Sequence, residues 1–469
     1  MIVVLSQGCA ANFGDGEKIA RILSQKSEVT FEFPEAKAAH STRAASFSSK
    51  TPANLVNAEN STSAANPANF STEKPEAFYL NVCTVKGNAG AMKLLRKAAS
   101  TFPGVPIYIT GCAPKDFREE ALRTVPHVQF TSLKELENSA ILPTQSAQSP
   151  SSQINARTPD SNKASRNVLR ESPFVGIVNI EEGCLDACAF CSTHLVKGRL
   201  HSFAPNAIVD QVQALVDDGC LEIQLTGQDC ACYGFDIGTN IAELTQRILT
   251  HVNGNYRIRL GMGNPRHVLS YQEALLDCFT DDRIYKFIHI PVQSGSENVL
   301  KAMNRRHTAR DYATLAHAFT ERFRKFTLST DLIVGYPGET AADFNDTLTL
   351  LKETRPTVCN ITRFVARPGT VAARLETASN QAVPDDIKHE RSAILAEAFQ
   401  QIALENNREW IGDECTVVTE KPGYRAGTTI ARNEAYRPVA LQGTFPAGKT
   451  LRVRITGAEP FALLAEPLV

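Results

Sequence analysis

The chain has 469 residues, 43% of them hydrophobic and 21% charged, the balance of a water-soluble globular protein long enough for about three domains of roughly 150 residues. A formal net charge of −1 excludes a global basic field, so a polyanionic partner would have to meet a local cationic surface. No apolar run approaches the ~20 residues a bilayer span needs, and the first residues read as a strand rather than a cationic leader. In the cytoplasmic protein this implies, twelve cysteines point to metal or redox chemistry rather than to a disulfide framework.

The first expected elements are a strand over Ile2 to Leu5 and a helical stretch from Gly16 to Leu23. Residues 37–75, rich in Ser, Ala, Asn and Thr and poor in large apolar side chains, read as a disordered insertion. A strand over Ala77 to Val82, a helix from Gly90 to Ala99 and a strand over Val105 to Ile109 complete an α/β domain spanning 1–140. A polar stretch without aromatic residues, 141–168, reads as a flexible linker.

From 169 to 400 strand-like runs alternate with amphipathic helical stretches. The strands are expected over Phe174 to Ile180, Glu222 to Thr226, Tyr256 to Gly261, Tyr285 to Val292, Phe326 to Val334 and Val358 to Val365. Six βα repeats imply a parallel sheet curled into a partial barrel, with chemistry at the C-terminal ends of its strands. Residues 405–469 carry short β-prone runs, among them Cys415 to Thr419 and Leu451 to Ile455, that suit a small β-barrel. The fold class is thus α/β with a β-barrel appended.

Cys184, Cys188 and Cys191 follow the first barrel strand in a C-x3-C-x2-C spacing. Three thiolates on one loop can hold three irons of a 4Fe-4S cluster and leave the fourth open to chelate a cofactor. A zinc site fits this spacing poorly, since zinc prefers four ligands and C-x2-C pairs, and no partner pair lies nearby.

With Phe190 before the last cysteine, the triplet resembles the radical S-adenosylmethionine (SAM) superfamily. Within it the chain resembles the methylthiotransferases. Gly8-Cys9-Ala10-Ala11-Asn12-Phe13-Gly14-Asp15-Gly16-Glu17 has that family's G-C-x-x-N-x-x-D-x-E pattern, Asn81-Val82-Cys83-Thr84-Val85 its N-x-C-x-V, and Thr110-Gly111-Cys112 its third Gly-Cys. The resemblance implies two iron-sulfur clusters, 4Fe-4S expected for each, the second held by Cys9, Cys83 and Cys112. Each of these cysteines follows an expected strand, so three loops at one sheet edge could converge. Cys220, Cys230, Cys232, Cys278, Cys359 and Cys415 match no family ligand and read as structural, although Cys230 and Cys232 follow the second barrel strand on the active-site rim.

By the same resemblance Gln228 is the candidate contact for the SAM amino group. Ser294 and Asp331 are candidates for its ribose or methionine, and Gly335 with Gly338 would admit adenine close to the backbone. Lys197 and Arg199 follow the cluster loop and either steady an anionic centre or form a solvated basic loop. Near the C-terminus Lys421, Arg425, Arg432, Arg437, Lys449, Arg452 and Arg454 face only Glu434 within that window. The segment resembles the TRAM module, an RNA-binding barrel, with Tyr424 and Tyr436 as stacking surfaces.

A purine C–H is neither acidic nor bound to a leaving group, so a radical route suits its functionalisation. Gly183-Cys184-Leu185, Lys197-Gly198-Arg199-Leu200, Gly227-Gln228-Asp229 with Tyr233-Gly234, and Gly261-Met262-Gly263-Asn264-Pro265 resemble the archaeal and eukaryotic branch. That branch converts N6-threonylcarbamoyladenosine, next to the tRNA anticodon, to its 2-methylthio derivative. Implied partners are tRNA, an electron donor such as ferredoxin or flavodoxin, and a sulfur source, with the chain a monomer and no membrane involved. Another tRNA adenosine, a ribosomal-protein aspartate, or a non-catalytic RNA-binding iron-sulfur role are the alternatives.

Overall fold

A computed structural model of the chain describes residues 1–8, 10–34, 74–83, 88–140, 169–378 and 381–468. The expected insertion, apart from residues 74 and 75, and the expected linker lie outside the described residues. The chain divides into two compact units, Met1–Glu171 and Ser172–Val469.

The first unit runs β1 (Ile2–Ser6), α1 (Ala10–Ser24), β2 (Val29–Thr30), β3 (Ala77–Cys83), α2 (Asn88–Thr101), β4 (Ile107–Cys112), α3 (Lys115–Thr124), β5 (Gln129–Phe130) and α4 (Leu133–Ala140). Its sheet has the order β2-β1-β3-β4-β5, and every pair is parallel. Ile2, Val4 and Tyr79 pack with Ile19 and Leu23 of α1 on one face, whereas Val3, Phe78, Leu80 and Val82 pack with α2 and α3 on the other. That alternation accounts for the near-continuous apolar strands of a sheet covered on both faces. A doubly wound sheet of this order binds ligands beyond the strands' carboxyl ends, where the order reverses between β1 and β3. Helix α1 begins earlier than expected, because Gly16 serves as an interior contact rather than a start: a Cβ there would overlap Ser6 Oγ.

The second unit opens with β6 (Val175–Asn179), β7 (Glu181–Glu182), α5 (Thr193–Lys197), β8 (His201–Ser202), α6 (Pro205–Asp217) and β9 (Glu222–Thr226). It continues with α7 (Ile241–His251), β10 (Arg257–Leu260), α8 (Pro265–Leu269), α9 (Gln272–Cys278), β11 (Phe287–His289), α10 (Glu297–Ala302), α11 (Ala309–Arg322), β12 (Thr327–Val334), α12 (Ala341–Thr354) and β13 (Val358–Arg363). Helices α13 (Val371–Ala378) and α14 (Asp385–Arg408) follow. Capping boxes, Thr308 with Asp311 and Thr340 with Asp343, start α11 and α12. The six expected barrel strands are present, hydrogen-bonded as two parallel sheets, β6-β9-β10 and β11-β12-β13. A bridge between Ile258 and Ile284 and the bond from Gly263 N–H to His289 O (2.9 Å) join them. Ile223, Leu225, Ile258, Leu260, Ile288, Leu328 and Leu332 enter the core under the helices. The alternate residues Gln224, Arg259, His289 and Asp331 therefore line the barrel's inner face.

The closed C-terminal barrel has the order β14-β15-β16-β18-β17, formed by Glu414–Pro422, Thr428–Asn433, Pro438–Gln442, Ala462–Pro467 and Thr450–Glu459 respectively. It lies in the same compact unit as the larger barrel. The carbonyl of Glu434 takes the Lys286 N–H (2.9 Å). Tyr436, at φ 58°, inserts under the strands and donates its hydroxyl to Glu222 Oε1 (3.0 Å), with its ring against Tyr285 and Phe287.

Candidate active site

The loop Gly183–Cys191 leaves β7 at the carboxyl end of the barrel strands and is fastened at its start, middle and end. Gly183 sits at φ 80°, where a Cβ would overlap the Arg199 carbonyl, and its N–H donates to Gln228 Oε1 (2.7 Å). Cys184 N–H donates to Gly198 O (3.2 Å). In the middle, the buried Asp186 carboxylate accepts from Asn264 Nδ2 (2.7 Å) and Arg266 Nη1 (2.6 Å) and lies 3.0 Å from His267 Nε2. At the end, Ala189 N–H donates to Met303 O (2.9 Å), Ala372 N–H to Ala189 O (2.9 Å), and Asn304 Nδ2 to Ala187 O (2.8 Å). Phe190 packs against Val299, Met303, Tyr336, Phe364 and Ala372.

Of the nine cysteines in this unit, Cys184, Cys188 and Cys191 are partly exposed and the other six are buried. Partly exposed thiols on a fastened loop fit an iron-sulfur cluster; buried thiols behave as small hydrophobes. Arg305 Nη1 lies 3.4 Å from Cys188 Sγ. Burial pushes the Cys188 thiol up to about 11 against the pull of that guanidinium. Cys184 is held below the usual thiol range, first by a hydrogen bond with Cys232. For Asp186, burial opposes ionisation, yet His267, Arg266 and Arg305 together keep its carboxyl below the usual range. Asp186, Asn264, His267, Asn304 and Arg305 were absent from the sequence-based candidates. Asn264-Pro265, a cap and first-turn pair a short turn after β10, is the readable signal.

The cofactor candidates fall into two groups. Gln228 lies beside the cluster loop, and Asp331 Oδ1 accepts from Asn360 Nδ2 (2.7 Å) and lies 3.0 Å from His289 Nε2, which groups three polar side chains from β11, β12 and β13. Lys197 ends α5 half-buried, and Arg199 is exposed. Ser294, by contrast, is fully buried, and its hydroxyl pairs with Thr347 Oγ1 (3.1 Å) and accepts Ser296 N–H (3.2 Å). Gly335, at φ 73°, admits the stem of Lys388 on α14, where a Cβ would overlap it. The close approach that this glycine serves is therefore that of a helix.

In the first unit Cys83 and Cys112 are register partners at the ends of β3 and β4, both buried. Gly8, at φ 119°, presses on Cys83 so closely that a Cβ would overlap its side chain. The motif asparagines tie this edge together: Asn12 Nδ2 donates to Gln7 O (2.6 Å) and Asn81 O (2.9 Å), and Asn81 Nδ2 to Asn12 O (2.5 Å). Cys9, Thr84 and Val85 lie outside the described residues.

The C-terminal barrel alters the reading of the basic segment. From Arg408 to Val469 there are eight Lys/Arg against seven Asp/Glu, so the local excess is nearly cancelled by flanking acids. Arg437 is buried, bonded to Asn407 Oδ1 (2.5 Å) and over Trp410, and Arg432 is paired with Glu420 (2.6 Å). Both therefore brace the barrel rather than offer charge to solvent. Arg452 and Arg454 share Glu414, and Arg425 meets Glu459, but all three guanidinium groups stay largely exposed, as does Tyr424 at 79%.

Family models match over residues 178–351, the radical SAM superfamily, and 408–468, the TRAM domain. A protein of Pyrococcus horikoshii named "Probable threonylcarbamoyladenosine tRNA methylthiotransferase" is 34% identical over 411 residues, covering 84% of this chain and 91% of that one. The chain belongs to this methylthiotransferase family. An Archaeoglobus fulgidus protein of the same name is 42% identical over 287 residues, 61% of this chain and 66% of that one. The human "Threonylcarbamoyladenosine tRNA methylthiotransferase" is 32% identical over 302 residues, 64% of this chain and 51% of that one. Membership of the radical SAM superfamily implies a 4Fe-4S cluster and SAM, and the fastened triplet fits such a cluster. No helix among the described residues is long and apolar enough to cross a membrane.

Proposed function

We propose that the chain attaches a methylthio group to C2 of N6-threonylcarbamoyladenosine in tRNA. The observation that carries this reading is the Gly183–Cys191 loop, whose three partly exposed thiols are held by contacts from four other segments, within a chain of this family. Cys184, Cys188 and Cys191 hold the SAM-cleaving cluster, which when bound supplies the one-electron chemistry that acid-base groups lack. Arg305 balances thiolate charge at Cys188, and the Asp186 network fixes the loop's orientation.

Gln228 and the His289, Asp331 and Asn360 group orient SAM at the strand ends; Lys197 and Arg199 attract its carboxylate. Cys9, Cys83 and Cys112 would hold the second iron-sulfur cluster, which when bound would supply the sulfur for transfer. Two of these cysteines adjoin at the edge where a doubly wound sheet takes its ligand. Lys421, Arg425, Arg452 and Arg454 with Tyr424 meet RNA by charge and stacking. A ferredoxin or flavodoxin and a sulfur source complete the cycle. Mass spectrometry of tRNA nucleosides from a deletion strain tests the reading: 2-methylthio-N6-threonylcarbamoyladenosine should vanish, and an unchanged level overturns it.

A further inference from the structure

The segment that follows β13 packs on the cluster loop and has two faces. Phe364, Ala366 and Ala372 turn inward and pack with Phe190 of the loop, and Ala372 N–H donates to Ala189 O (2.9 Å). Val365 and Val371 turn outward, 62% and 46% exposed. Arg374 stands three residues after Val371 on α13, so the two share one side of that helix, and Arg374 is exposed. A Cβ on Gly369 would lie 3.3 Å from Leu195 Cδ1 of α5, which sets Leu195, 58% exposed, beside the same surface. Large aliphatic side chains left together in water mark an interaction surface.

Charge and side-chain type indicate what this surface meets. Residues 363–376 hold Arg363, Arg367 and Arg374 against the single acid Glu376, and Glu376 is paired with Lys388 (3.2 Å). An anionic partner suits that excess. The apolar side chains are Leu and Val, which offer no ring for a base to stack on, whereas an apolar centre edged by arginine is the composition of a protein interface. The surface also lies directly outside the loop of the triplet. We propose that Leu195, Val365, Val371 and Arg374 dock a small acidic one-electron carrier protein that reduces the SAM-cleaving cluster. The carrier is oxidised by one electron and the cluster reduced by one, with no bond or proton exchanged. Electron-transfer encounters of this kind use small interfaces and are steered by charge.

The proposal rests on the assignment of a cluster to Cys184, Cys188 and Cys191. Its test uses the full chain reconstituted anaerobically, with reduced flavodoxin as the carrier and dithionite as a small reductant that needs no docking surface. Arg374→Glu, alone and combined with Val365→Glu, is compared with Arg374→Lys. Docking is read by titration calorimetry with flavodoxin, and cluster reduction by loss of visible absorbance. Both glutamate variants should bind flavodoxin about tenfold more weakly and take its electron about tenfold more slowly when flavodoxin is limiting. Their reduction by dithionite and their tRNA binding in a filter assay should be unchanged, and Arg374→Lys should keep most of the flavodoxin affinity. Unchanged flavodoxin affinity in both glutamate variants overturns the proposal. So does weaker tRNA binding with flavodoxin affinity intact, which would assign the surface to RNA, and so does an equal loss of reduction by dithionite, which would assign it to the cluster's own support. Failure of the unsubstituted chain to bind any cluster at the triplet would instead sink the assignment beneath it.

Discussion

The two cysteine edges of this chain are built in opposite ways. In the second unit three thiols lie on one short loop, and the fold's task is to hold that loop through Gln228, Asn264, Met303, Asn304 and Ala372. In the first unit the cysteines are far apart in sequence, and strand register brings Cys83 beside Cys112. A site written into one loop should fail through its fastenings; a site written into a topology should fail through its sheet.

The largest effect expected is from Cys188→Ala, which should reduce 5′-deoxyadenosine formation to background in a SAM-cleavage assay. Retained cleavage would break the comparison at its firmer end. Next come the fastenings. Asn304→Ala or Arg305→Met should weaken cluster retention at the triplet by roughly 10- to 100-fold, the usual cost of losing a supporting contact, measured by iron release to a chelator. Neither should touch the first unit.

Gly8→Ala should disturb only the other edge. A side chain at that φ, meeting Cys83, should cost about 1–3 kcal/mol, read as faster amide exchange in β1 and β3 with α10 unchanged. Away from both edges the effects shrink. Tyr436→Phe, which removes a buried hydroxyl from Glu222, should lower the second unit's stability by about 1–3 kcal/mol. Tyr424→Ala should leave stability within about 0.5 kcal/mol while weakening tRNA binding in a filter assay.

What the sequence revealed follows the same division. The triplet was legible because its spacing is local, and strands such as Glu222–Thr226 appear where their periodicity placed them. Contacts distant in sequence were not legible. The apolar run from Tyr285 to Val292 yields only the short strand Phe287–His289, since Lys286 N–H is drawn to Glu434 O. Helix α14 is not legible from periodicity because its buried stripe includes Lys388 and Arg391, whose partners Glu376 and Glu339 lie outside that helix, on α13 and in the turn before α12. Arg432 and Arg437 add to the window's formal charge, but in the fold Glu420, Asn407 and Trp410 lie beside them. Tyr436, read as a stacking surface, proved to be a strut beneath the barrel. Composition gives a window's charge, but only packing decides which charges reach solvent.

The division of labour between the two edges is the central claim, and Cys83→Ala tests it most directly. The full-length variant, reconstituted and supplied with SAM, reductant and tRNA, is assayed in one reaction for 5′-deoxyadenosine and for methylthiolated nucleoside. The account predicts that 5′-deoxyadenosine still forms while the methylthiolated product is lost; full product formation, or loss of both, would contradict it.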